Sequence, residues 1–191
     1  MNSIGGNVLT HYYLDIETLG LDPTKDRIIM IQFQELDSKT GATRGEFTIL
    51  KEWLSSEKEI LEQFIEKLNP EDVWSFVPVG HNLRFELQFL QVRARKLLDF
   101  ELTDELIHYQ LPRIDIRDTM ILMNEGKFKG TSSDWLVKKQ LNNEQIPELY
   151  ANGEYLQLVQ HITDETKRFL HVYRYLKEKL PDIYKGYNPL E

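Results

Sequence analysis

Cysteine is absent from the 191-residue chain, which excludes disulfides and thiolate metal sites. No apolar run approaches the roughly 18 residues needed to cross a bilayer. The opening residues, Met1 to Asn7, lack a basic segment followed by an apolar one, so no secretory signal is visible. Together these absences are compatible with a reducing cytoplasm, the expected location, and with no membrane partner. Positive charge is also scarce. The 23 Lys and Arg stand against 31 Asp and Glu, a net charge of −8, which argues against coating nucleic acid by bulk electrostatics. An acidic balance leaves room for carboxylates gathered around cations, since such acids count as negative only until the cations bind. Repeats and low-complexity segments are missing too. What remains is 41% hydrophobic and 28% charged, the composition of a globular protein, and residues 1–191 are expected to form a single domain.

Residues 9–17 read as a first strand. Arg27 to Gln34, nearly continuous in apolar residues, reads as a second and central one. Asp37 to Gly41 has the composition of a hairpin turn, and Gly45 to Leu50 would return antiparallel. Ser55 or Ser56 caps a helix through about Leu68, which Asn69-Pro70 stops. Val73 to Val79 reads as a fourth strand, demoted by its proline. Gly80-His81-Asn82 closes it and opens a helix to about Leu98. Ile114 to Ile116 is a short fifth strand, followed by a helical piece around 118–125 and a loop from Gly126 to Gly130. Thr131 to Asp134 looks like the cap of a helix through Leu141. A last helix spans roughly Glu154 to Leu180, ended by Pro181. Three strands first, then alternating helices and strands, predict an α/β fold on a mixed five-stranded sheet.

Three acidic clusters stand out. Asp15 and Glu17 lie two residues apart near the end of the first strand, so both project to one side. Two anions that close repel unless a cation or proton neutralises them, and hard oxygen ligands suit Mg²⁺ or Mn²⁺. Two solvated acids at an exposed strand end are the plainer alternative. Glu86 sits in the first turn of the second long helix, whose Phe85-Phe89-Val92 and Leu83-Leu87-Leu90-Ala94 rows are both apolar. Asn82, four residues earlier, can cap that helix and faces the same way. The ordinary account of Glu86 is a solvated acid favoured by the helix dipole. Asp164 lies in the last helix, nearly opposite the stripe Ile162, Phe169, Tyr173, Leu176 and Leu180. His161 and Gln160 precede it by three and four residues, so either can sit beside it. Arg84, Arg93, Arg95 and Lys96 on the second long helix, or Lys127 and Lys129 in the loop, could attract a phosphate backbone, with a solvated charged face as the commoner fate of such clusters.

The order Asp15-Ile16-Glu17-Thr18-x-Gly20-Leu21, then Gly80-His81-Asn82-x-x-Phe85-Glu86-x-x-Phe89-Leu90, then Asp164, resembles the DEDD superfamily of 3′→5′ exonucleases. Those proteins include the proofreading domains of DNA polymerases. The resemblance runs from about residue 11 to residue 177 and includes Asp118-Thr119-Met120. It implies a ribonuclease H-like fold, with the first three strands antiparallel and helices flanking the sheet. It also implies a two-metal mechanism at the 3′ ends of DNA or RNA, single-stranded ends in particular. Asp15 would bridge two divalent ions, Glu17 and Asp164 would complete one site, and Glu86 would hold the second ion. Thr18, Leu19, Asn82 and Phe85 would contact the terminal nucleotide. Two positions depart from the pattern. Glu86 stands where the family usually has Asp. Gln160 and Val159 occupy the positions of the Tyr or His that orients the attacking water, which leaves His161 as the catalytic candidate there. These departures motivate an alternative: a catalytically weakened domain that binds nucleic acid or a protein partner.

Overall fold

The computed structural model describes residues 9–129, 131 and 145–186. Its strands are β1 (His11–Thr18), β2 (Ile28–Leu36), β3 (Thr43–Lys51), β4 (Val77–Gly80) and β5 (Ile114–Asp115). Its helices are α1 (Glu57–Leu68), α2 (Leu83–Leu97), α3 (Ile116–Met123), α4 (Ile146–Ala151) and α5 (Tyr155–Gly186). The five strands form one sheet in the order β3-β2-β1-β4-β5, the first three antiparallel. From β1 onward the pairing is parallel: Tyr13 lies opposite Val79, and Val79 opposite Ile114. The expected fold class is borne out.

The described residues group into two compact units, one drawn from Met1–Glu35 and Gly45–Ile116, the other from Leu36–Arg44 and Arg117–Glu191. In the first, alternation along β1 sends Tyr12, Leu14 and Ile16 into a core shared with Ile31 and Phe33 of β2 and the buried faces of α1 and α2. Tyr12 stacks on Phe76 at 4.4 Å, and Phe64 meets Phe76 edge-on at 5.7 Å. Helix α1 forms where its local signals say it should. The Ser56 hydroxyl accepts the Glu59 N–H at 3.2 Å, Ile60, Leu61, Phe64, Ile65 and Leu68 are buried, and Asn69 ends it in a left-handed conformation.

One buried ion pair lies inside this unit. Arg93 donates to both oxygens of Glu57 at 2.7 Å, and Glu57 also accepts the Ile28 N–H at 2.8 Å. Arg93 therefore does not face a substrate, contrary to the sequence reading. Its guanidinium is spent on a buried carboxylate that would otherwise be uncompensated.

In the second unit, α4 packs on α5, with the Tyr150 and Tyr155 rings 5.7 Å apart. The tip of the β2–β3 hairpin rests on α5 as well: Lys177 Nζ donates to the Ser38 carbonyl at 2.7 Å. Ile162, Phe169, Tyr173 and Leu176 are buried as the stripe predicts, and burial pushes the Tyr173 hydroxyl up to about 12.

Three boundaries depart most from expectation. Strand β4 starts at Val77, because Asp72 to Ser75 form a turn in which the Asp72 carbonyl accepts the Ser75 N–H and hydroxyl. It lies between β1 and β5 despite Pro78. Helix α3 begins at Ile116, directly after β5. Helix α5 passes through Pro181 to Gly186, although a proline there removes a donor and crowds the preceding turn. Leu180 is 40% exposed instead of extending the stripe, and nothing among the described contacts explains the continuation. The helix expected from Thr131 through Leu141 lies outside the described residues beyond Thr131 itself.

Candidate active site

The parallel pairing of β1 with β4 fixes where the acids go. Because β4 runs the same way as β1 and leads through His81 and Asn82 into α2, the helix begins at the sheet edge where β1 ends. Asp15, Glu17 and Thr18 end β1 and Leu19 follows it; Asn82 precedes α2, and Phe85 and Glu86 lie in its first turn. Gly80 permits the close approach of these elements. A Cβ there would stand 2.7 Å from the Leu14 carbonyl oxygen and 2.6 Å from Leu83 Cδ2.

Asp15 and Glu17 are half-buried on the face of β1 opposite the aromatic core. Asp15 Oδ2 accepts two hydrogen bonds, from Gln32 Nε2 at 2.9 Å and from the Tyr13 hydroxyl at 3.1 Å. The Thr18 hydroxyl donates to the Gly20 carbonyl at 2.6 Å, and the Leu19 N–H to the Arg27 carbonyl at 3.1 Å, so the turn after the acids is tied locally. Asp26 fills the place a side chain at residue 20 would need: a Cβ on Gly20 would meet Asp26 Oδ2 at 2.1 Å. Beyond it, the Thr24 hydroxyl on Asp22, reinforced by Lys25, holds that exposed carboxyl down at about 2.

Glu86 is only 6% exposed. The solvated acid of the plainer account is thus ruled out, although the helix dipole still favours a carboxylate in the first turn. The capping expectation for Asn82 is overturned. Asn82 takes a left-handed conformation, φ 64°, and its side chain makes no capping bond. Asp115 of β5 supplies the cap instead, accepting the Asn82 and Leu83 N–H groups at 2.8 and 2.7 Å. A carboxylate from another strand thus takes two donors that the Asn82 side chain does not cap. Phe85 is half-buried, its ring 5.1 Å from Phe89, so its packing is established.

Asp164 and His161 lie on α5, in the other unit. Asp164 Oδ2 accepts Gln160 Nε2 at 2.9 Å, and Lys167 Nζ approaches Oδ1 at 3.3 Å. The Gln160 amide, then Lys167, hold this carboxyl below the usual aspartate range. The His161 side chain is 7% exposed, with Nε2 3.4 Å from Glu165 Oε2, an ion-pair distance that does not meet hydrogen-bond geometry.

Among the described residues, no group of three or more His, Cys, Asp or Glu stands close enough to hold a metal ion. Like charges keep apart, and the partners described for Asp15 and Asp164 are amides, a hydroxyl and an ammonium. The donor chemistry of Asp15, Glu17 and the buried Glu86 nonetheless fits a hard divalent cation. Of the basic candidates other than Arg93, Arg84 is exposed, Arg95 pairs with Glu101 at 2.7 Å, and Lys96 donates to the Thr24 carbonyl at 3.1 Å. Lys127 pairs with Glu125 at 2.6 Å in the exposed loop that also carries Lys129. Gln32, Tyr13 and Asp115 were missed by the sequence reading. A lone amide inside the apolar run Ile28 to Phe33 was the available signal for Gln32.

The RNase H superfamily model matches residues 12–176, and the chain belongs to that superfamily. No curated protein matches it in sequence. Among solved structures it is similar to the zinc-bound form of Escherichia coli exonuclease I with single-stranded DNA. That match has 14% identity, covers 94% of this chain and 42% of that one, and has a TM-score of 0.62. Apo exonuclease I matches over 64% of this chain and 32% of its own, with 16% identity and a TM-score of 0.49. The chain thus spans less than half the length of either. At these identities the likeness is one of fold. Among the described residues, no helix is long and apolar enough to cross a membrane.

Proposed function

We propose that this chain is a single-domain, divalent-metal-dependent 3′→5′ exonuclease of the DEDD type, acting on single-stranded ends of DNA or RNA in the cytoplasm. One observation carries the reading. Asp15 and Glu17 project from the end of β1, while Glu86 is buried in the first turn of the helix that leaves the neighbouring parallel strand. A carboxylate is costly to bury and a divalent cation offsets that cost. The motif order adds Asp164 from α5, and exonuclease I, which shares the fold, has been solved with single-stranded DNA.

Asp15, Glu17, Glu86 and Asp164 would hold Mg²⁺ or Mn²⁺. When bound, a pair of such ions activates water and stabilises the leaving 3′ oxygen. Thr18, Leu19, Asn82 and Phe85 would orient the terminal nucleotide. His161, with Nε2 turned to Glu165, would exchange a proton at Nδ1.

The test is incubation of 3′- and 5′-labelled single strands with Mg²⁺ or Mn²⁺. Stepwise shortening from the 3′ end is expected, with Asp15→Ala lowering the rate by about 10³-fold, several kcal/mol of transition-state stabilisation. Cleavage of circular strands would indicate internal cutting instead. Binding without shortening would support a second reading, a domain with weakened chemistry. Gln160 favours it, because its amide already engages Asp164 Oδ2.

A further inference from the structure

On β2, Gln32 is fully buried between Ile31 and Phe33, in a run from Ile28 to Phe33 that is otherwise apolar. A primary amide placed there loses water at both of its ends. Its nitrogen donates to Asp15 Oδ2 at 2.9 Å, while its oxygen, Oε1, has no hydrogen-bond partner among the described residues. Turning the amide over would set Oε1 against the carboxylate, so the orientation is dictated by Asp15. Half of this side chain therefore stays unsatisfied in order that the other half reach one oxygen atom. A second donor converges on the same atom. The hydroxyl of Tyr13, itself 2% exposed, lies 3.1 Å from Asp15 Oδ2. One donor comes from the same strand and one from the adjacent strand, so the carboxylate is held from two directions by groups that are themselves packed.

We infer that Gln32 and Tyr13 are positioning residues for metal binding, clamping Asp15 through Oδ2 and fixing the rotation at which its carboxylate meets a divalent cation. The inference rests on the metal-dependent reading above. A role limited to stitching β1 to β2 would leave cation affinity untouched, and that separates the two. Partners of this kind, one step removed from a metal, typically govern affinity by about 10- to 100-fold.

The experiment measures Mn²⁺ binding by calorimetry, alongside melting temperature, for the wild-type chain, Asp15→Asn, Gln32→Met and Tyr13→Phe. Titrations are run where each variant is fully folded. Gln32→Met keeps length without the amide, and Tyr13→Phe removes one oxygen, so the second serves if the first disturbs the sheet. The expected result is a tenfold or greater loss of Mn²⁺ affinity in Gln32→Met and a smaller loss in Tyr13→Phe, with melting temperatures near wild type. Wild-type affinity in both variants, with binding abolished in Asp15→Asn, would overturn the clamp and leave the proposed function standing. A wild-type chain that binds no Mn²⁺, or an Asp15→Asn chain that binds as well as wild type, would overturn both.

Discussion

In the sheet-bearing unit, acids are gripped from within: Glu57 by the guanidinium of Arg93 and a strand N–H, Asp15 by a buried amide and a buried hydroxyl. On α5 the acid Asp164 is 35% exposed, and its partners Gln160 and Lys167 are surface side chains. Buried charge makes each partner indispensable, since removing one leaves the other stranded out of water. Exposed charge is replaceable, because water substitutes for any partner lost. The first unit therefore fixes Glu57 and Asp15 through packed partners, whereas the helix offers a carboxylate whose partners water can replace.

Removing one cation from each region separates buried from exposed pairing most strongly. Arg93→Met should lower unfolding free energy by about 3–5 kcal/mol, while Lys167→Met should change it by about 0–1 kcal/mol. Urea denaturation of both variants measures the two, and equal losses would erase the distinction. Next in size is His161→Ala, expected to reduce turnover by about 10²-fold if His161 moves the proton. Single-turnover rates with melting temperatures recorded beside them would decide it, and wild-type turnover would remove His161 from the chemistry.

The smallest effect concerns Asp164 itself. Its folded-state titration lies below the ordinary 3.8, first through Gln160 and then through Lys167. A depressed carboxyl contributes stability that is fully present above its unfolded value and fades as pH falls through its lowered folded one. Gln160→Ala should move the Asp164 titration upward, toward 3.8, as followed by carboxyl carbon NMR. No movement would mean that Lys167 and Arg168 sustain the shift without the amide.

What could be read from the sequence was what neighbours in the chain decide. Ser56 capping α1, the alternation of β1, and the hairpin turn at Asp37 all depend on residues within a few positions. Asp37, for instance, accepts the Lys39 and Thr40 N–H groups inside its own turn. The order of elements put Asp15 and Glu17 at the end of the first strand and Glu86 in the first turn of the second long helix. What escaped was set across the sheet. No local pattern could say that Asp115 would displace Asn82 as the cap, that Gln32 would turn toward Asp15, or that Arg93 would go inward to Glu57. The π-helical turn at Leu106–Gln110 and helix α4, a single short segment with a proline near its start, also lacked the long periodicity that announces a helix.

The Asp115 cap bears on the order in which the chain matures. The two backbone groups it pins lie 33 and 32 residues earlier in the sequence. During synthesis, the segment carrying Glu86 emerges well before the residue that anchors its beginning. Its first turn can be locked only after the intervening stretch has closed into a loop. The start of α2 is thus tied to the docking of β5, not to its own neighbours in the chain.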